Sequence, residues 1–137
     1  MTSSIEYLGN LRTTATHLTS EKIIITDAPI DNQGKGEAFL PTDLVATALA
    51  SCLITIMGIK AKNLGVDIKG TRAEVTKIMG IAPRRIVEIK IDVILPNIFD
   101  EKTQIILEKA ATTCPVANSL HLELKQNIRF IWPSYTA

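Results

Sequence analysis

Two cysteines, Cys52 and Cys114, are the residues of this sequence best suited to chemistry. A thiolate is a nucleophile and can climb to a sulfenic acid, and two thiols that meet can close to a disulfide. The other usual carriers of reactivity are missing. The two histidines, His17 and His121, are far apart and lack metal-ligand spacing toward either cysteine, so neither a metal nor a cofactor is expected. No phosphate loop, dinucleotide fingerprint or nucleophile elbow occurs; Asp31–Gly36 (DNQGKG) has two glycines that serve as turn residues. On residue type alone both cysteines also have an inert reading. Cys52 lies in an apolar stretch where cysteine usually only packs. Cys114 precedes Pro115, where a helix stops and a new turn begins, so the N–H groups of Val116 and Ala117 are expected to point at its sulfur and lower its pKa.

The element that must position Cys52 is Pro41–Gly65, PTDLVATALASCLITIMGIKAKNLG. Between Leu44 and Ile59 its only polar residues are Thr47, Ser51 and Thr55, so no face is hydrophilic. A helix apolar all round belongs in a core or a bilayer. Asp43 and Lys60 bracket a run shorter than the roughly 20 residues that span hydrocarbon, which favours a fully buried core helix. Pro41 suits its first turn, Thr42 or Asp43 its positive end, and Gly65 its C-terminal cap. Covering such a helix is hard for a chain of 137 residues, which hints at a second subunit on one flank.

The remaining elements read as strands and one amphipathic helix. Ile5–Tyr7 and Leu11–Thr16 form a hairpin about Gly9-Asn10, and Lys22–Thr26 is a third strand ended by Asp27-Ala28-Pro29. Val66–Ile78 and Arg85–Leu95 alternate at period two, with Val87, Ile89, Ile91 and Val93 inward, and pair antiparallel through Gly80–Pro83. Asp100–Thr113 is an amphipathic helix with acidic residues in its first turn, and Leu122–Trp132 a final strand. This is an α+β pattern in a single domain, residues 1–137. A formal net charge of +1 argues against nucleic acid or anionic membrane as a partner. The amino terminus has no apolar signal core, and the expected location is cytoplasmic.

Three features occur together: Pro41-Thr42-Asp43-Leu44, then Cys52 on an apolar helix, then Cys114-Pro115-Val116-Ala117-Asn118-Ser119 late in the chain. In order and separation they resemble the OsmC/Ohr family, named for osmotic induction and organic hydroperoxide resistance, over nearly the full length. The resemblance implies an OsmC-like fold of antiparallel sheets around a long buried central helix, in an intertwined homodimer. It implies a thiol-dependent peroxidase for organic hydroperoxides at the dimer interface, with Cys52 peroxidatic, Cys114 resolving and a dithiol as reductant. Burial in mid-helix would silence Cys52 unless a cation approached it. The family takes an arginine from the N-terminal strands, and Arg12 is the only arginine before Arg72. Arg84 and Arg85 are rivals, though they read as an exposed turn.

One departure bears on activity. The best-matched peroxidase branches place a glutamate directly after the proline, where this chain has Thr42, and its carboxylate, Asp43, comes one position later. Asp43 either partners Arg12 or serves only at the helix start. Two functions follow: a hydroperoxide reductase using the Cys52/Cys114 pair, or a non-enzymatic OsmC-like protein that binds an apolar small molecule at the dimer interface.

Overall fold

The structure is a computed structural model and describes residues 1–134. The chain divides into two compact units, Met1–Val45 and Ala46–Ala137.

The first unit is a three-stranded antiparallel sheet, β1 (Ser3–Gly9), β2 (Arg12–His17) and β3 (Ile23–Thr26), in that spatial order. The hairpin turn falls one residue later than expected. Gly9 pairs with Arg12, and Asn10 and Leu11 both take positive φ, at 55° and 62°. Positive φ at both central residues matches the twist of the flanking strands, which is why such two-residue turns dominate hairpins. After β3 a single 3₁₀ turn, Ile30–Asn32, opens a loop folded back on itself by Gly36 N–H donating to Ala28 O at 3.1 Å. Gly34 is packed so tightly there that a Cβ would lie 2.0 Å from Ala28 O, so only glycine fits.

Helix α1 runs from Pro41 to Leu64. Its ends form as the sequence requires. Asp43 Oδ2 accepts from the Leu40 N–H at 3.0 Å, which satisfies a donor just before the first turn. At the other end Gly65, with φ of 74°, lets Val66 N–H reach Ala61 O at 2.9 Å and Gly65 N–H reach Lys62 O at 3.1 Å. That pair of bonds is the Schellman arrangement.

In the second unit, β4 (Arg72–Gly80), β5 (Arg85–Ile94) and β6 (Lys125–Ile131) form a sheet, with α2 (Glu101–Ala111) and α3 (Pro115–Ser119) between β5 and β6. The period-two reading of β5 holds from Ile89 onward, where Ile89, Ile91 and Val93 have no exposure and Leu95 almost none, but not at Val87: a register shift opposite Ile78 and Met79 leaves Val87 only half-buried and packs Ile86 against the core instead. Ile89, Ile91, Val93 and Leu95 form one core with Leu49, Leu53, Met57, Ala61, Leu107 and Ala111. Each leucine or isoleucine so buried contributes about 1.5–3 kcal/mol. The reverse face carries Glu74, Thr76, Lys90, Asp92, Asn127 and Arg129, with Arg129 bridging Asp92 at 3.1 Å.

Two expectations need correction. The second sheet is not purely antiparallel, because β6 lies parallel to β5, with Ile128 opposite Ile91. A crossover through α2 and α3 returns the chain to the same end of the sheet, and such a return permits only parallel pairing. Nor does the chain itself bury α1 on all sides: Ala46, Leu49, Ala50, Leu53, Met57 and Ala61 are buried, whereas Ile59 is 55% exposed and Val45 38%. By length and composition alone α1 could also cross a bilayer, contrary to the shorter run read from sequence, but core helices pass the same test.

Candidate functional site

The second unit brings the two cysteines together. Cys52 projects from the middle of α1, half-buried, and Cys114 is wholly buried at the start of α3; both are free thiols. Cys114 is itself the cap of α3. Its backbone is non-helical, Pro115 occupies the first turn, and the sulfur accepts from the Ala117 N–H at 3.4 Å. The amide donation expected from the sequence is therefore present, yet the expected direction of the pKa is reversed. Burial pushes the Cys114 thiol above its ordinary value, the adjoining Cys52 thiol pushes it further through a hydrogen bond, and the amides of Ala117 and Val116 only partly offset both. A five-residue helix supplies too little field to overcome complete removal from water. Cys114 stays protonated at neutral pH, and its thiol lies against that of Cys52.

The first unit holds the arginine. The Arg12 guanidinium forms a two-pronged pair with Asp27, Nε to Oδ1 at 2.7 Å and Nη2 to Oδ2 at 2.8 Å, and its Nη2 also lies 3.6 Å from Glu37 Oε2. Asp27 is 1% exposed and takes a third bond from the Glu37 N–H at 3.0 Å. The hydrogen bond from Arg12 is the main reason that the Asp27 carboxyl is held below its ordinary value, against the opposing effect of burial. The same bond raises the Arg12 pKa, so its charge is permanent.

Asp27 was not singled out in the sequence, where it read as the end of a strand. The signal was there in the pairing. Thr13 opposes Thr26, and extending that register by one residue sets Arg12 opposite Asp27. Asp43 bonds at the start of α1, and Arg85, the rival cation, pairs with Glu123 at 3.3 Å on the surface. Among the described residues no group of three or more His, Cys, Asp or Glu side chains is arranged to hold a metal ion.

A half-apolar protein with two thiols in contact and a helix capped by one of them defines a class, and comparison supplies its name. The OsmC-like protein family model matches residues 34–129, and the chain belongs to that family. Among solved structures, a protein of Psychrobacter arcticus, provisionally assigned to the osmotic stress-induced and detoxification response, is 55% identical. The match covers 95% of each chain with a TM-score of 0.93. An OsmC-like protein of unknown function from Vibrio cholerae is 12% identical over 94% of this chain and 97% of its own, with a TM-score of 0.78. An organic hydroperoxide resistance protein OsmC from Legionella pneumophila is 14% identical over 98% of each chain, with a TM-score of 0.69. The last two likenesses establish the shared α+β fold. No functionally curated protein sequence matches the chain.

Proposed function

We propose that this protein is a thiol peroxidase that reduces organic hydroperoxides through Cys52 and Cys114. The observation that carries the reading is the contact of the two thiols, delivered by α1 and by the break before α3. Solved relatives described as organic hydroperoxide resistance proteins support it. The Cys52 thiolate attacks the outer oxygen of the O–O bond. That bond breaks, the alkoxide leaves and takes a proton as the alcohol, and Cys52 becomes a sulfenic acid. Cys114 then attacks the Cys52 sulfur, water departs, and the S–S bond forms. A dithiol reductant returns both sulfurs to thiols by exchange. Complete burial of Cys114 suits a resolving thiol, because it meets no outside oxidant before Cys52 does.

In this reading Arg12 is the cation that favours the Cys52 thiolate, and Asp27 is the carboxylate that holds its guanidinium in plane. Asp43 serves the start of α1. The working form is a homodimer. Ile5, Tyr7 and Ile24 share one face of the first unit's sheet and Ile23 and Ile25 the other, all more than 40% exposed, so each face carries apolar side chains that favour cover by a second copy.

Treating reduced protein with one equivalent of cumene hydroperoxide tests the chemistry. Peptide mapping is expected to recover a Cys52–Cys114 disulfide, and Cys114→Ser to accumulate a sulfenic acid on Cys52. A folded protein whose Cys52 remains reduced would overturn the reading. Arg12→Ala is expected to slow the reaction steeply at neutral pH with partial recovery at alkaline pH, and Asp43→Asn to leave the rate unchanged.

A further inference from the structure

One inward position of the last strand is polar. Along β6 burial alternates, with Lys125, Asn127 and Arg129 outward and Gln126, Ile128 and Phe130 inward. Ile128 and Phe130 pack against the aliphatic core, as the inward residues of a half-buried strand should. A glutamine in that row costs free energy unless its amide finds a partner. Its Nε2 donates to Ala117 O of α3 at 3.0 Å. The side chain also borders a small cavity of about 170 Å³, shared with Leu53, Ala111 and Thr112, so packing alone does not fix it. Its direction comes from the bond.

The helix that Gln126 reaches is the one capped by Cys114. Within α3 and its ends the bonds are local: Asn118 N–H donates to Cys114 O at 3.2 Å, Leu120 N–H to Ala117 O at 3.4 Å and Ser119 Oγ to Pro115 O at 2.8 Å. Such bonds shape a turn without locating it. Val116, Ala117 and Leu120 pack against the core, but apolar contact is non-directional and lets a single turn slide or rotate. Gln126 ties that turn to the sheet, at the residue whose N–H donates to the Cys114 sulfur.

We propose that Gln126 is a positioning residue: its bond to Ala117 holds the turn of Cys114 in place and so sets the rate at which Cys114 closes on Cys52. This rests on the reading of the two cysteines as a redox pair, and it concerns only the second step, closure. Attack by Cys52 on an oxidant does not draw on the Gln126 amide. Loss of that amide therefore lengthens the life of oxidised Cys52 without slowing its formation.

Stopped-flow reaction of the full reduced chain with dithiodipyridine separates the two steps without any peroxide. The Cys52 thiolate attacks one sulfur of the reagent, the reagent's S–S bond breaks, and one pyridinethiol leaves a mixed disulfide on Cys52. Cys114 then attacks the Cys52 sulfur, its proton passing to the second pyridinethiol as that leaves and the Cys52–Cys114 bond forms. In Gln126→Met, which keeps the length but loses the donor, the first release is expected to match the parent. The second is expected to slow about two- to tenfold, the range of one net hydrogen bond. In Gln126→Glu the second release is expected to follow the parent at low pH, where the protonated carboxyl still donates, and to fall to the rate of Gln126→Met as it ionises. A merely structural role would give no such profile, and Gln126→Glu carries the test alone if Gln126→Met does not fold. A second release unchanged in Gln126→Met, equal slowing of both releases, or a Gln126→Glu profile parallel to the parent's would overturn the proposal. Cumene hydroperoxide keeps the two readings apart. A parent that completes both releases but keeps Cys52 reduced in the peroxide removes the peroxidase and leaves Gln126 its role; a parent oxidised by peroxide, with closure indifferent to Gln126→Met, does the reverse.

Discussion

The two units of this chain are ordered by different physics. Residues of Ala46–Ala137 share an aliphatic core in which Leu49, Leu53, Met57, Ile89, Ile91 and Leu107 have almost no exposure. The sheet of Met1–Val45 has no comparable core. Strands β1 and β3 are exposed along nearly their whole length, and the buried points of that unit are Thr26 and Asp27, both polar. Its order comes from strand pairing and from one carboxylate that gathers Arg12 and the Glu37 N–H. Burial of hydrocarbon is non-directional and tolerates exchange of similar shapes, whereas a hydrogen-bonded pair has one geometry. The core unit thus supplies stability, and the sheet unit fixes a charge in orientation.

The largest effect expected is on the core. Leu53→Ala should lower unfolding stability by about 2–5 kcal/mol, seen as a lower denaturant midpoint with an unchanged slope. A loss near that of a surface substitution would erase the contrast between the units. Next comes Asp27→Asn, which removes the charge but keeps the shape. Amide exchange should accelerate at Glu37 and along β2 and β3, with the β5 amides unaffected. The pH dependence has a definite sign. Because the folded-state pKa of Asp27 is depressed, the stabilisation is present above the ordinary carboxylate value, about 3.9, and is lost as pH falls through the lower folded value. Arg12 stays charged throughout and adds no slope.

Ile24→Ser sharpens the comparison from the other side. On an exposed strand it should change the stability of the isolated chain by no more than about 0.5 kcal/mol. Sedimentation at micromolar concentration should nonetheless show the dimer weakened; a dimer of undiminished affinity would show that this surface is not covered by a second copy. The smallest effect belongs to Cys114. Its raised pKa means that its stabilisation is full below the ordinary thiol value and fades as pH rises through the folded one. A shallow loss of stability on the alkaline side, absent in Cys114→Ala, is the expected signature.

What could be read in the sequence was what local pattern encodes. The apolar run with Pro41 before it and Gly65 after it announced α1, and the alternation through Ile89, Ile91 and Val93 announced β5. The parallel partnership of β6 with β5 left no such trace, because nothing in Lys125–Ile131 specifies which neighbour it takes. Cys52 and Cys114 stood out by type, but their contact depends on the packing of α1, α2 and α3. Asp27 escaped notice because its importance comes from a residue fifteen positions earlier.

The cap on α3 has a consequence for how the protein could be watched. The Cys114 sulfur that accepts the Ala117 N–H is the same atom that a disulfide with Cys52 would engage. Turning the sulfur toward a new covalent neighbour takes its lone pairs away from that amide and leaves the first turn of α3 without its acceptor. The Ala117 backbone proton is therefore a built-in gauge of oxidation state. Its chemical shift in a nitrogen–proton correlation spectrum would report the proportion of closed sulfur pairs during turnover, with no dye, label or added thiol reagent.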